Sequence, residues 1–340
     1  MSHAAWIRAL ALTACVLCLG VVVLGAYVRL SDAGLGCPDW PGCYGHLSPS
    51  GAAADVGAQE RSGRPLEPGR AWREMAHRYA AATLVLLIVC LAATTVAWRR
   101  ERLASPALTL SLVGVVIVQA IFGMLTVTWR LKPLIVTLHL LFGLTTLSLL
   151  WWLVLRLASP GGPWRHGAAL RGSGPRAARI LGLLALLAVA LQIALGGWTS
   201  SNYAALACPD LPTCQGHWWP PADFRSAYTL SRDVSLDADA GGAGASALVA
   251  IHVTHRLGAL LASAAVLAAA IAALVLRAEG SVRHAALALL ALLGLQLTIG
   301  LTMVLRGFPL PLATAHNAGA ALLLLGTLAL NSSLRPAKPS

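Results

Sequence analysis

Charge is scarce in this chain of 340 residues: Asp, Glu, Lys and Arg together make up 11% of it, while 57% of the residues are hydrophobic. A soluble domain carries roughly a quarter charged residues, so the composition excludes one of this size. Acids are scarcer than bases, 13 against 25, which leaves a formal net charge of +12. No P-loop, stacking motif for RNA or separate basic domain accompanies that charge, so nothing makes a case for nucleic acid. An anionic membrane leaflet is its expected counterpart.

What the chain does have is long apolar runs. They lie near 9–28, 75–97, 107–127, 134–155, 179–199, 248–276, 284–304 and 312–331, each long enough at about 1.5 Å per residue to cross a hydrocarbon core. The fold class expected is all-α and integral to a membrane, with eight transmembrane helices. The first run exceeds the usual 7–15 apolar residues of a signal peptide and reads as a retained helix.

Orientation follows from Lys and Arg near the helix ends. One side holds thirteen: Arg8, Arg99, Arg100, Arg102, Arg156, Arg165, Arg171, Arg176, Arg179, Arg277, Arg283, Arg335 and Lys338, with only Glu101 and Glu279 among them. The other side holds ten, Arg29, Arg61, Arg64, Arg70, Arg73, Arg130, Lys132, Arg225, Arg232 and Arg306, offset by eleven acids. The modest bias places both termini in the cytoplasm and the two longer loops outside.

Those longer loops carry one pattern twice. The first runs Gly34-Leu35-Gly36 into Cys37-Pro38-Asp39-Trp40-Pro41-Gly42-Cys43-Tyr44-Gly45-His46; the second reads Cys208-Pro209-Asp210-Leu211-Pro212-Thr213-Cys214-Gln215-Gly216-His217, at an offset of 171. Glu74-Met75-Ala76-His77-Arg78 and His252-Val253-Thr254-His255-Arg256 recur at 178, and Gln119 with Gln296, like His139 with His316, at 177. A tandem duplication of a four-helix unit follows. Because each unit has an even number of spans, a pseudo-two-fold axis along the membrane normal is expected. The units are 1–156 and 179–340, joined by a cytoplasmic linker over 157–178.

Four histidines, His77, His139, His255 and His316, fall within the first turn or two of helices two, four, six and eight, at one expected depth. An ionisable group there usually faces a bundle interior, a cofactor or a cavity. Helices two and four of a bundle can face one another, as do six and eight, which suits an iron with two axial imidazoles, and two bis-histidine heme sites follow. Zinc competes as the metal, but it takes a tetrahedron of ligands, and no cysteine or extra carboxylate recurs at that depth in both halves.

Arg78 and Arg256 follow their histidines directly, placed either to pair with heme propionates or to snorkel to the interface. Glu74 and His252 lie three residues before a proposed ligand, on its helical face. A carboxylate at 74 can relay protons beside a substrate; the alternative is a helix-end acid bonded to Arg78. Cys37, Cys43, Cys208 and Cys214 stand on the oxidising side, and their duplicated spacing predicts the disulfides Cys37–Cys43 and Cys208–Cys214, structural or redox-active. Cys15, Cys18 and Cys90 read as small buried hydrophobes. His46 and His217 are given no ligand role.

In combination these motifs resemble the heme A synthase family of cytochrome oxidase assembly: the Glu-x-x-His-Arg opening of helix two, His-Arg in helix six, histidines in helices four and eight, and paired cysteines in both outer loops. The resemblance covers nearly the whole chain. It implies an oxidoreductase that converts the C8 methyl of heme O to a formyl group, giving heme A, with heme b as cofactor in the C-terminal half. Under it His255 and His316 are the heme b ligands, His77 and His139 the substrate-side histidines, and Glu74 the important acid. It also implies a bacterial inner (plasma) membrane, with heme O synthase, cytochrome oxidase assembly factors and membrane lipid as partners, and leaves open a homo-oligomer. Two other classes share the histidine pattern: a diheme cytochrome b that only transfers electrons, and a heme-delivery assembly factor without catalysis.

Overall fold

A computed structural model describes residues 2–101, 103–157, 174–230, 244–275 and 280–334. Arg102, Arg165, Arg171, Arg232, Arg277, Glu279, Arg335 and Lys338, together with most of the linker, lie outside the described residues. Eight helices are long and apolar enough to cross a membrane, and no strand forms among the described residues. In chain order they are α1 (His3–Leu30), α2 (Pro68–Ala97), α3 (Pro106–Thr128), α4 (Pro133–Leu157), α5 (Gly174–Ser201), α6 (Ala245–Val275), α7 (Ser281–Leu305) and α8 (Leu310–Ser333).

Several of these helices outrun the apolar windows that announce them. Pro68, Pro106 and Pro133 each occupy a first helical position, where a fixed φ favours the helix and the missing N–H costs nothing. Thus α2 begins at Pro68, ahead of the apolar run from 75. α5 begins at Gly174, inside the expected linker. The chain ends α3 and α7 alike: the Leu131 N–H donates to the Thr126 carbonyl and the Phe308 N–H to the Met303 carbonyl, both at 2.8 Å, after Arg130 and Gly307 enter positive φ at 49° and 70°. This left-handed closure satisfies carbonyls the helix would leave orphaned.

Within the first half α1 packs on α2 and α4, and α3 on α2 and α4; within the second α5 packs on α6 and α8, and α7 on α6 and α8. Between halves α1 meets α8, α5 meets α4, and α4 meets α8. Exchanging α1 with α5 and α4 with α8 maps this set onto itself, consistent with the expected pseudo-two-fold. One buried core runs through both halves, from Ile7, Leu147 and Leu150 to Leu289 and Leu330. Ala269, Ala270 and Ala273 of α6 and Ala285 and Ala286 of α7 are all buried. Leu12, Leu86, Leu183, Leu187 and Leu260 face outward, as lipid-facing positions do. Polar bonds stitch the halves: the Trp151 indole donates to the Leu325 carbonyl at 3.0 Å, and Arg29 donates to the Ser200 carbonyl at 3.0 Å.

Both long loops fold alike over α2 and α6. Cys43 and His46 exchange backbone bonds, as Cys214 and His217 do, around a turn whose central residues all have positive φ: Tyr44 and Gly45, Gln215 and Gly216. That is a type I′ turn, and the glycine takes one of its two left-handed positions. The Asp39 carboxylate accepts the Tyr44 and Gly45 N–H groups, and Asp210 those of Gln215 and Gly216. The Thr213 hydroxyl donates to Asp210, and with the Gly216 and Gln215 amides it holds that carboxyl down to about 2 from an ordinary 3.8.

A carboxyl depressed by folding stabilises the loop above its unfolded pKa, and the gain disappears as pH falls through the folded value. The window is therefore between about 3.8 and about 2. A carbon-13 NMR titration is expected to give Asp210 a midpoint near 2, and Thr213→Val to move it up toward 3.8. An unmoved midpoint would assign the depression to another partner.

Candidate functional site

His77, His139, His255 and His316 sit on α2, α4, α6 and α8 as the sequence pattern expects. His139 and His316 lie within two turns of their helix starts. His77 and His255 lie further from their helix starts, about three turns in, because α2 and α6 begin at Pro68 and Ala245, ahead of the apolar windows. His77 and His139 are within electrostatic range of one another, and so are His255 and His316. The structure therefore brings the four together as two pairs, one in each half.

Each ring is pressed onto a glycine of the preceding helix. A Cβ on Gly25 of α1 would stand 2.8 Å from His77 Cε1, and one on Gly123 of α3 3.3 Å from His139 Cε1. On Gly196 of α5 it would stand 3.1 Å from His255 Cε1, and on Gly300 of α7 2.9 Å from His316 Cε1. All four contacts are tighter than a side chain comfortably tolerates, so glycine is what lets the imidazole reach the neighbouring helix. Sequence reasoning missed these glycines. The signal was present: they recur at offsets of 171 and 177, the offsets already seen in the loops and the histidines.

Glutamines complete the C-terminal pair. Gln192 of α5 places its amide nitrogen 3.0 Å from His255 Nδ1 and 3.0 Å from the His255 carbonyl oxygen. Gln296 of α7 places its own 3.3 Å from His316 Nε2 and 3.1 Å from the His316 carbonyl. Gln296 and Gln119 are visible in the sequence repeat, while Gln192 is not, because its counterpart at the same offset is Val21.

Arg78, Arg256 and Glu74 join the loops to the helices. Arg78 Nη1 donates to the carbonyls of Asp39 at 2.9 Å and Pro41 at 3.2 Å, and also to that of Gly42. Its Nη2 donates to Glu74 Oε1. Glu74 Oε2 accepts the Cys37 N–H at 2.9 Å. Glu74 is only 4% exposed: the bond to Arg78 exists, but the acid is buried beneath the loop rather than ending the helix in the interface. Arg256 donates to the Thr213 and Cys208 carbonyls, each at 2.8 Å, while His252 Nδ1 meets the Ala204 carbonyl at 3.2 Å. The loop-clamping role of both arginines is not legible in their sequence neighbours. Gly36 permits the first clamp, since a Cβ there would stand 2.6 Å from the Arg70 backbone.

Cys37–Cys43 and Cys208–Cys214 are disulfide-bonded. Cys15 and Cys18 are buried, whereas Cys90 is exposed on the outer face of α2, which corrects its expected burial. His46 Nε2 bonds Asp55 at 3.1 Å. Among the described residues no three His, Cys, Asp or Glu side chains converge, which does not suit tetrahedral zinc. Paired imidazoles do suit a porphyrin iron. Each ring is fixed along one edge by its glycine, and Nδ1 of His77, His139 and His316 is buried without a hydrogen-bond partner.

A family model described as cytochrome oxidase assembly protein matches residues 8–328. The chain is 38% identical over 316 residues to the heme A synthase of Shewanella oneidensis, an alignment covering 92% of this chain and 91% of that protein. It is 24% identical to the heme A synthase of Nitrosospira multiformis, covering 94% of this chain and 91% of that one. With the heme A synthase of Rhizorhabdus wittichii the identity is 27%, over 92% and 89%.

The glycine contacts generate a direct test. Gly300→Val places a branched side chain where the His316 ring lies, whereas Gly294→Val on the same helix meets open space. Gly300→Val is expected to keep its helix content by circular dichroism and to lose bound heme by about ten-fold or more, with Gly294→Val unchanged in both. Equal heme content in the two variants would show that the cradle is dispensable.

Proposed function

The chain belongs to the heme A synthase family of cytochrome oxidase assembly proteins, and from that membership we propose that it oxidises the C8 methyl of heme O to a formyl group, releasing heme A. On this reading the N-terminal bundle, residues 1–156, takes heme O between His77 and His139. The C-terminal bundle, residues 179–340, keeps heme b between His255 and His316. What carries the reading is the duplicated histidine pair joined to an asymmetry in what surrounds it: Glu74 stands in one half where His252 stands in the other.

Heme b, when bound, supplies electron transfer; the rest falls to this chain's own side chains. The glycine-backed rings of each pair can hold iron from two sides without rotating. Glu74 shares the His77 face of α2, one turn away. Its two oxygens are held by Arg78 and the Cys37 amide, so the carboxylate has one fixed orientation from which to accept protons. Oxidation of a methyl to a formyl group releases protons repeatedly, and a positioned base serves that purpose. The loops clamped by Arg78 and Arg256 cover the same ends of α2 and α6 and keep bulk water from the rings. Propionates can take the guanidinium donors that the loops leave free.

Placement in the membrane follows from the same account. Both termini are proposed to be cytoplasmic and the disulfide loops to face the outside of a bacterial inner membrane, in line with the positive-inside count and with disulfides on the oxidising side. Heme O synthase and other cytochrome oxidase assembly factors are the proposed partners.

The test is chemical. Protein expressed with a source of heme O is extracted and its hemes identified by mass: formyl heme is expected, whereas two unmodified b hemes would identify an electron relay. Glu74→Gln keeps the shape of the side chain and removes its charge. It is expected to lower stability by about 1–3 kcal/mol through the lost Arg78 pair, to retain both hemes, and to reduce heme A formation by about a hundred-fold. Arg78→Gln loosens the same clamp but leaves the carboxylate, and should retain more activity than Glu74→Gln. Heme A formation at the wild-type rate in Glu74→Gln would reduce Glu74 to a loop anchor.

A further inference from the structure

Two side chains stand out of the protein further than any other large apolar group among the described residues: Leu47, 84% exposed, and Trp218, 79% exposed. They occupy one position of the repeat, at the loop offset of 171, directly after the hairpin histidines His46 and His217. Trp219 follows at 67% exposed, and its ring stacks on Phe224 with centroids 6.2 Å apart. Each outer loop therefore leaves its turn through a bulky apolar tip, and the tip of the second loop is doubled.

A bond to α2 fixes the level of the first tip, because the Tyr79 hydroxyl donates to the Leu47 carbonyl. Trp72, Tyr79 and Leu86 are spaced two turns apart, so they form one stripe along the helix, and all three are exposed. The stripe continues to the exposed Cys90, while His77 and Arg78 turn to Gly25 and the loop carbonyls. It is the face that α2 shows to lipid. Trp72 stands at its outer end, and Trp129 stands exposed at the end of α3 with Lys132 Nζ 5.5 Å from its ring centroid. Rings in such places mark the boundary between headgroups and hydrocarbon. Tyr79 is about 10 Å further along the helix than Trp72, and its side chain leans back toward the helix start. Leu47 is thus held beside the lipid-facing stripe, between those two levels. In the second half the counterpart of Tyr79 at the offset of 178 is Leu257, also exposed, and Arg256 ties the loop to α6.

We propose that both tips, Leu47 in one half and Trp218 with Trp219 in the other, are seated in the outer leaflet of the membrane, where headgroups meet acyl chains. Lipid is the occupant because the first tip is continuous with the lipid-facing stripe of α2 and lies at the depth of its aromatic residues. Facing water, the same tips would leave the most exposed large apolar groups of the described chain without any burial. Tryptophan suits this boundary, with an apolar ring and one N–H for a headgroup. Interfacial elements of this type sink roughly 5–10 Å into it. Each loop is then held at two points, by an arginine on the helix that carries the histidine and by lipid at its tip. The inference goes beyond the proposed reaction and is independent of which heme each half holds.

The experiment reads collisions of a nitroxide label with oxygen, which concentrates in hydrocarbon, and with nickel ethylenediaminediacetate, which stays in water. Full-length protein carrying Cys90→Ala is labelled at Leu47→Cys, Trp218→Cys or Arg64→Cys and placed in liposomes of phosphatidylethanolamine and phosphatidylglycerol. Arg64 is an exposed position in a polar stretch of the first loop. The ratio of oxygen to nickel collisions is expected to be several-fold higher at both tips than at Arg64. A ratio at either tip equal to that at Arg64 would overturn the proposal by placing that tip in water. Labels shielded from both reagents would overturn it as well, since they would show a protein surface, such as a second copy of this chain, covering the tips. The tips are labelled separately, so loss of one variant to misfolding leaves the other decisive.

Discussion

The close approach of an imidazole edge to a glycine on the neighbouring helix is the contact on which the rest of the site depends. In lipid, every backbone polar group of a span is already used inside its own helix, so a side chain that must be held rigidly has few partners left to find. Glycine removes the obstacle by letting the ring come against the neighbouring backbone. Four such contacts, at Gly25, Gly123, Gly196 and Gly300, set the distance between each odd and even helix and aim each ring. The shared core of both halves then holds the helices where those contacts need them.

The outer loops act on the same ends of the helices. Each disulfide ring is built around an aspartate that accepts two backbone amides, and each is clamped by an arginine that directly follows a histidine, Arg78 after His77 and Arg256 after His255. Loop and histidine are therefore coupled through adjacent residues of one helix. In the first half the coupling also runs through Glu74, which bridges Arg78 and the Cys37 amide. In the second, His252 takes another partner, the Ala204 carbonyl. The two copies thus share one fold and differ at single positions around the histidines, such as 74 against 252.

Much of this is legible in the sequence, and the reasons for the remainder are physical. Eight apolar runs and the offsets of 171, 177 and 178 announce eight helices in two copies, because span length and duplication leave direct marks. The histidines are legible because an ionisable residue in an apolar run is costly. The start of α2 at Pro68 escapes a hydropathy window, since its added residues include Arg70, Arg73 and Glu74 and lie toward the loop. His77 is therefore further from its helix start than the apolar run suggests, while its place within that run is unchanged. The glycine cradles escape because a glycine in an apolar helix has many uses, and only the partner ring reveals this one. Gln192 escapes because a repeat displays what the copies share, and it lacks a counterpart in α1. Cys90 shows the limit of a compositional rule: it reads as a buried hydrophobe and lies on the outer face.

The central claim is that two histidine pairs, one in each half, each hold one porphyrin iron. A density map of the protein purified with its hemes tests it most directly. The account predicts one iron between His255 and His316 and a second between His77 and His139, with each ring still seated on its glycine. Iron bound by other side chains, or both porphyrins within one half, would contradict it.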